Sequence, residues 1–268
     1  LRLRRAGFSL LELAITLAVL TILLGGLLVP LATQIAQRNE SATQKMLEDI
    51  REALLGYAAA NGRLPCPATS ASNGLESFAV GGDASNGDCG NASGGAFIGF
   101  VPGVTLGITP LDAQGFAVDA WGTTQNRIRY AVSSETLNSV TNPFTRAGGM
   151  RSATMSWVGG AELLHVCASG TGVAQGGSPA AWHCAAGGDA SNTLTYNAPV
   201  VLWSVGANAG TGGTSTDEIQ NPNPVNSSSL DRIFVSHVQS GTPEFDDIVT
   251  WMSASRLVNR LIVAGQLP

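Results

Sequence analysis

The sequence predicts an α+β protein: a long N-terminal helix, membrane half plus amphipathic half, packed on an antiparallel β-sheet head with long loops and a C-terminal helix. Three observations carry this expectation. Residues 8–29 form one apolar run, and apolar residues then recur at three- and four-residue spacing as far as Ala58. Residues 63–240 alternate short β-prone runs with stretches rich in Gly, Ser, Thr and Asn. The end of the chain returns to helical periodicity.

The first run, FSLLELAITLAVLTILLGGLLV, is long enough to cross a bilayer as a helix and holds a single ionisable group, Glu12. Arg2, Arg4 and Arg5 precede it, so the positive-inside rule keeps that end cytoplasmic and exports the chain beyond residue 30. Over residues 31–62, Ile35, Ala42, Met46, Ile50, Leu54 and Tyr57 or Ala58 define one helical face, which Asn61, Gly62, Pro65 and Pro67 end. A continuous helix over 8–61 would be about 80 Å long. Gly25, Gly26 and Pro30 are its weak points, read either as a kink or melted stretch or as close packing against other membrane helices.

Strands are expected at 96–104, 127–132, 153–158, 163–168, 199–205 and 232–238, separated by Gly-rich loops. A hexapeptide, Gly-Gly-Asp-Ala-Ser-Asn, occurs at 81–86 and again at 187–192, which reads as two similar turns. Thr242, Pro243 and Glu244 resemble a helix start, followed by a stripe of Phe245, Ile248, Trp251 or Met252, Ser255, Val258 and Leu261 or Ile262 that Gly265 closes.

Composition excludes several functions. A net charge of −5, more negative still without the three leader arginines, leaves no basic surface for nucleic acid. Nothing matches a nucleophile elbow, a phosphate loop or a zinc-protease helix, and His165, His183 and His237 are scattered, so no enzyme is expected. The four cysteines lie in the exported part, where thiols oxidise. Three connectivities exist, of which local pairing, Cys66 with Cys89 and Cys167 with Cys184, closes two short loops and is the expectation. A zinc site is the alternative, but no C-x-x-C pair is present, and His165 and His183 do not stand at finger spacing.

The carboxylate inside the apolar run separates three readings of the N-terminus. A cleaved secretory signal, with Pro30, Leu31 and Ala32 at its end, needs a shorter run. A plain signal anchor gives no reason for a carboxylate whose burial in hydrocarbon is costly. The third rests on Arg5-Ala6-Gly7-Phe8-Ser9-Leu10-Leu11-Glu12, which resembles the leader and cleavage site of the type IV pilin family, comprising pilins, minor pilins and the pseudopilins of type II secretion. The resemblance implies a leader over 1–7, cut by a prepilin peptidase between Gly7 and Phe8, and methylation of the new N-terminus. It also implies a transmembrane half-helix over 8–30, an amphipathic half over 31–62 and a globular head over 63–268. A charged amine at Phe8 is the natural partner of Glu12 from a neighbouring chain.

Two further segments resemble major pseudopilins: Asp119-Ala120-Trp121-Gly122 before Ile128-Arg129-Tyr130, and the Gly-rich loop over 204–213 with Asp246, Asp247, Ile248 and Trp251. In that family the loop and a following Asp hold calcium, which places Asn208 and Asp247, with loop carbonyls and Asp217, as candidate ligands. Asn208 stands where the family usually has Asp, and an insertion over 214–241 alters the spacing; the competing reading makes Asp246 and Asp247 helix-start acids. The implied function is a structural subunit of a type IV pilus or type II secretion pseudopilus. It would sit first in the bacterial inner membrane, as a single pass with a periplasmic head, and then in the filament beside other pilin or pseudopilin subunits. A minor pilin binding through its tip is the alternative, and a signal-anchored exported enzyme a distant one.

Overall fold

A computed structural model describes residues 9–90, 92–173, 183–184, 190–211, 213–221, 232–242 and 244–268. In chain order its elements are α1 (Leu10–Asn61), β1 (Ala92–Ser93), β2 (Ala96–Phe100), α2 (Gly103–Leu106), β3 (Arg129–Ser133) and α3 (Gly149–Ser152). Beyond them come β4 (Leu164–Cys167), β5 (Thr193–Ala198), β6 (Val200–Ser204), β7 (Ile233–Val235), β8 (Ser240–Gly241), β9 (Glu244–Phe245), β10 (Ile248–Met252) and α4 (Ala254–Val263). The chain divides into two compact units, Leu1–Ser41 and Ala42–Pro268.

Helix α1 is continuous through Gly25, Gly26 and Pro30, so no melted stretch forms there. In the first unit Leu10, Leu11, Leu13, Ile15, Leu17 and Val19 are all exposed. Counted over the described residues, no helix is long and apolar enough to cross a membrane. The side chains at 23–32, which complete the apolar run in the sequence, lie outside the described residues.

The second unit is built in layers. Its main sheet has the order β1-β2-β3-β6-β10 and is antiparallel throughout. A smaller sheet, β5-β4-β7, pairs β4 with β5 antiparallel but β4 with β7 parallel, a mixed arrangement that the expected antiparallel sheet did not include. Successive residues of a strand face opposite sides. Phe97, Tyr130, Val132, Val200, Leu202 and Met252 therefore face one core with Leu47, Ile50, Leu54 and Leu55 of α1 and Leu257 and Leu261 of α4. Ile98, Ala131, Val201 and Trp203 face the other, with Leu164, Val166 and Phe234 of the small sheet. Covering on both faces explains why β2, β3 and β6 are buried at every position and are predominantly apolar. The buried stripe of α1 here is Thr43, Leu47, Ile50, Leu54 and Ala58; Ala42, expected inside, is exposed.

Two expectations are corrected. Residues 153–158 are not a strand, since Thr154–Trp157 is a short 3-10 helix that sends Trp157 into the core against Phe144. The C-terminal helix begins at Ala254, not at Glu244: Ile248–Met252 is instead strand β10, paired along its length with β6. Its β-branched and aromatic residues Ile248, Val249, Thr250 and Trp251 suit a pleated strand, and the true cap is Ser253, whose side chain accepts from the Arg256 N–H. Pro243, part of the expected start, lies outside the described residues.

Disulfides join Cys66 to Cys89 and Cys167 to Cys184, and among the described residues no cysteine is free. They close loops of 23 and 17 residues. By the chain-entropy estimate each contributes about 3 kcal/mol. The first hexapeptide copy is a turn in which Asp83 Oδ1 accepts from the N–H groups of Ser85 and Asn86; part of the second lies outside the described residues.

Candidate functional site

Two places hold the residues that the sequence singles out. At the N-terminus, Gly7 and Phe8 lie outside the described residues. Just after them the Ser9 N–H donates to Glu12 Oε2 (3.1 Å) and the Glu12 N–H to Ser9 Oγ (3.2 Å). This is a reciprocal capping box, in which two orphan donors of the first helical turn are satisfied by Ser and by a Glu three residues on. Glu12 thus starts α1 as well as charging it. The surrounding side chains are exposed.

The second place is the end of the main sheet where β6 leaves for the Gly-rich loop and β10 arrives. Carboxylates of Glu218, Asp246 and Asp247 converge there, with oxygens within 4.8 Å of one another. Glu218 and Asp247 are buried, and a cavity of about 20 Å³ beside them is lined also by Arg129, Asn208, Gly213 and Asn221. That volume suits one water or ion. Asn208 organises the acids: its backbone N–H donates to Asp246 Oδ2 (2.9 Å) and its Nδ2 to Glu218 Oε1 (2.9 Å). Asn221 Nδ2 donates to Asp247 Oδ2 (2.7 Å). Two oxygens, Glu218 Oε2 and Asp246 Oδ1, are buried without a hydrogen-bond partner among the described residues.

Buried carboxylates resist ionisation unless a cation compensates. Desolvation, with Glu218 nearby, pushes Asp246 up to about 6. Burial pushes Asp247 up to about 8, with Glu218 and Asp246 adding to the rise and Asn221 and Arg129 opposing it. Arg129 is itself so buried that desolvation brings it down to about 10, against the pull of Asp247 and Asp119. Arg129 lines the same cavity as Glu218 and Asp247. The glycines fit this crowding: a Cβ on Gly206 (φ +64°) would collide with the carbonyl oxygen of Asp246, and one on Gly213 (φ +66°) would meet Glu218 Oε2 at 2.5 Å.

The family model described as the prokaryotic N-terminal methylation motif matches residues 2–28. The chain carries the prepilin-type motif of type IV pilins and pseudopilins. No curated protein matches the chain, and no solved structure does. The motif supports a type IV pilin-like or pseudopilin subunit in general, a structural and generally non-enzymatic kind of protein. It implies processing by a prepilin peptidase and assembly with other pilin subunits.

The structure separates the expected ligands. Asn208 and Asp247 do meet at one site, Asn208 through donors that hold Glu218 and Asp246. Asp217 turns away: its Oδ1 accepts from Gly170 N–H (2.6 Å) and Ser169 Oγ (3.0 Å), and its Oδ2 lies 3.1 Å from His237 Nε2. Glu218 takes the place expected of Asp217. It comes from inside the insertion over 214–241 that alters the family spacing, and its one signal in the sequence is an acid beside Asp217. Asp246 and Asp247 are not helix-start acids, because β10 and not a helix comes after them. The Asp119 motif has a structural role: Asp119 accepts from Ser204 Oγ, Asn126 Nδ2 (3.0 Å) and the Trp121 N–H (2.9 Å), tying the loop before β3 to the end of β6. Tyr130 OH donates to Pro65 O (3.0 Å), anchoring the segment after α1.

Proposed function

We propose that the chain is a structural subunit of a type II secretion pseudopilus or type IV pilus, cut between Gly7 and Phe8, anchored in the inner membrane and assembled through α1. The match of residues 2–28 to the N-terminal methylation motif carries this reading. Exposure of Leu10, Leu13, Leu17 and Leu20 along the first unit supports it, since such a surface needs lipid or copies of itself to cover it. Glu12 pairs with the amine of a neighbour's Phe8, an exchange that keeps both charges compensated in a medium without water. Mass analysis of the membrane-extracted protein tests it: the N-terminus is expected at Phe8 and methylated. An N-terminus near Thr33 would overturn it.

The loop cluster is proposed to hold calcium. Its donors are all oxygen, two of the oxygens lack partners among the described residues, and the buried acids Glu218 and Asp247 line the cavity beside Arg129. Calcium favours such oxygen sets and is satisfied by carboxylates and carbonyls together. Glu218, Asp246 and Asp247 would bind it, with Asn208 and Asn221 orienting them. The metal would supply the charge that protons otherwise supply. Its effect would be to lock the 204–213 loop to the start of β10.

A further inference from the structure

A second cluster lies on the far side of the small sheet. Leu164 and Val166 of β4 face the main sheet, so His165 and Cys167 face the opposite way. His165 is 2% exposed, and its Nε2 has no hydrogen-bond partner among the described residues. Its ring stands 5.7 Å from that of His183, centroid to centroid. The disulfide fixes this approach, because Cys167 is two residues beyond His165 and Cys184 comes directly after His183. Glu162 completes the group, and one ligand atom from each of the three lies within 4.8 Å of the others. They line a cleft of about 490 Å³ with Thr193, Thr195 and Tyr196.

We propose that Glu162, His165 and His183 bind a zinc ion. Two imidazoles and one carboxylate are a donor set that zinc prefers and that calcium, which takes oxygen, does not. Three protein ligands leave one position open toward the cleft, for water or a group that enters it. Tetrahedral bonds of about 2.0–2.1 Å set ligands roughly 3.3 Å apart. The remaining closure falls on Glu162, whose side chain is 44% exposed, and on half-buried His183, both able to move toward the buried ring. Arg232 is adjacent, its Nη1 3.0 Å from Glu135 and its Nη2 3.4 Å from one Glu162 oxygen. Two carboxylates therefore face one guanidinium, and the second Glu162 oxygen remains for the metal. The site owes nothing to the cysteines as ligands; their disulfide is the brace.

The test uses the full chain in detergent, stripped with chelator and dialysed against zinc chloride. One zinc per chain is expected, with His183→Gln and Glu162→Gln each weakening binding by more than the roughly 10- to 100-fold typical of outer-shell changes. Both side chains are partly exposed, so these variants keep the experiment decisive where His165→Ala fails to fold. Cobalt(II) in place of zinc should give the intense visible bands of a four-coordinate ion without a thiolate charge-transfer band. Asp247→Asn should leave zinc affinity unchanged, which separates this site from the calcium cluster. Absence of zinc binding, binding unaltered in the His183→Gln, Glu162→Gln double variant, or loss of zinc in Asp247→Asn would each overturn the proposal.

Discussion

Asp247 is a single buried group that couples stability to pH and, on the calcium proposal, to metal. Its carboxyl titrates near 3.8 when exposed but at about 8 in the fold, so between those values the folded state holds a proton that the unfolded state has lost. The stability that this proton provides is complete below the lower value and disappears as pH rises through the upper one. In chelator, urea midpoints compared at about pH 5 and about pH 8 should therefore fall more steeply with pH in the native chain than in Asp247→Asn. Calcium should raise the native midpoint most at the higher pH, because it binds the ionised form and displaces the proton. Equal pH dependence in the two proteins would show that Asp247 ionises freely. Glu12 makes the opposite kind of prediction. Glu12→Ala removes a capping-box partner, at a cost of about 1 kcal/mol to the first turn of α1, and eases entry into hydrocarbon. Membrane insertion should persist while incorporation into sheared filaments falls at least tenfold, measured by immunoblot of the sheared fraction. Unchanged incorporation would remove Glu12 from assembly.

At the scale of elements, the end of the chain is the instructive case. Ile248, Trp251, Met252, Ser255 and Val258 satisfy a helical period, yet the first three belong to β10 and only the last two to α4. Short runs fit both periods, and pairing with β6 decides between them. Ser253 then caps a helix of ten residues whose Leu257 and Leu261 are buried beside α1. Ser253→Ala should destabilise the second unit by about 1 kcal/mol, seen as a lowered urea midpoint with unchanged slope, whereas Thr242→Ala should have little effect. The reverse ranking would move the helix start back to Thr242. β5 escapes sequence reading for a related reason: Thr193–Ala198 turns Leu194 and Tyr196 outward and partly buries Thr193, Thr195 and Asn197, and its pairing with β4 makes it a strand.

For the whole molecule, the decisive feature is that the main sheet is covered on both faces. Trp203 lies fully buried between the two sheets, its ring 5.0 Å from that of Phe234. Trp203→Ala should cost about 3–5 kcal/mol and, by loosening both sheets at once, lower the thermal midpoint of the second unit as one transition. Two separate transitions would mean that the small sheet is an independent body. That second layer is supplied by β4 and β5, which lie between β3 and β6 in the chain, and by β7, which lies between β6 and β10.

The N-terminal motif was legible in the sequence: Gly7, Phe8 and Glu12 lie close together within the matched residues 2–28, and an apolar run with one carboxylate requires only local order to be read. The cysteine pairs, which are near in the chain, and the predominantly apolar strands β2, β3 and β6 were legible there too. Tertiary structure alone decided where the chemistry converges. Glu218 joined Asp246 and Asp247, and Asp217 did not, because a β7 strand paired parallel to β4 and an Asn221 hydrogen-bonded to it fix which neighbour turns inward. His165 met His183 for the same reason: the two are brought together by a disulfide and a strand face, and no spacing rule along the chain encodes a distance across a sheet.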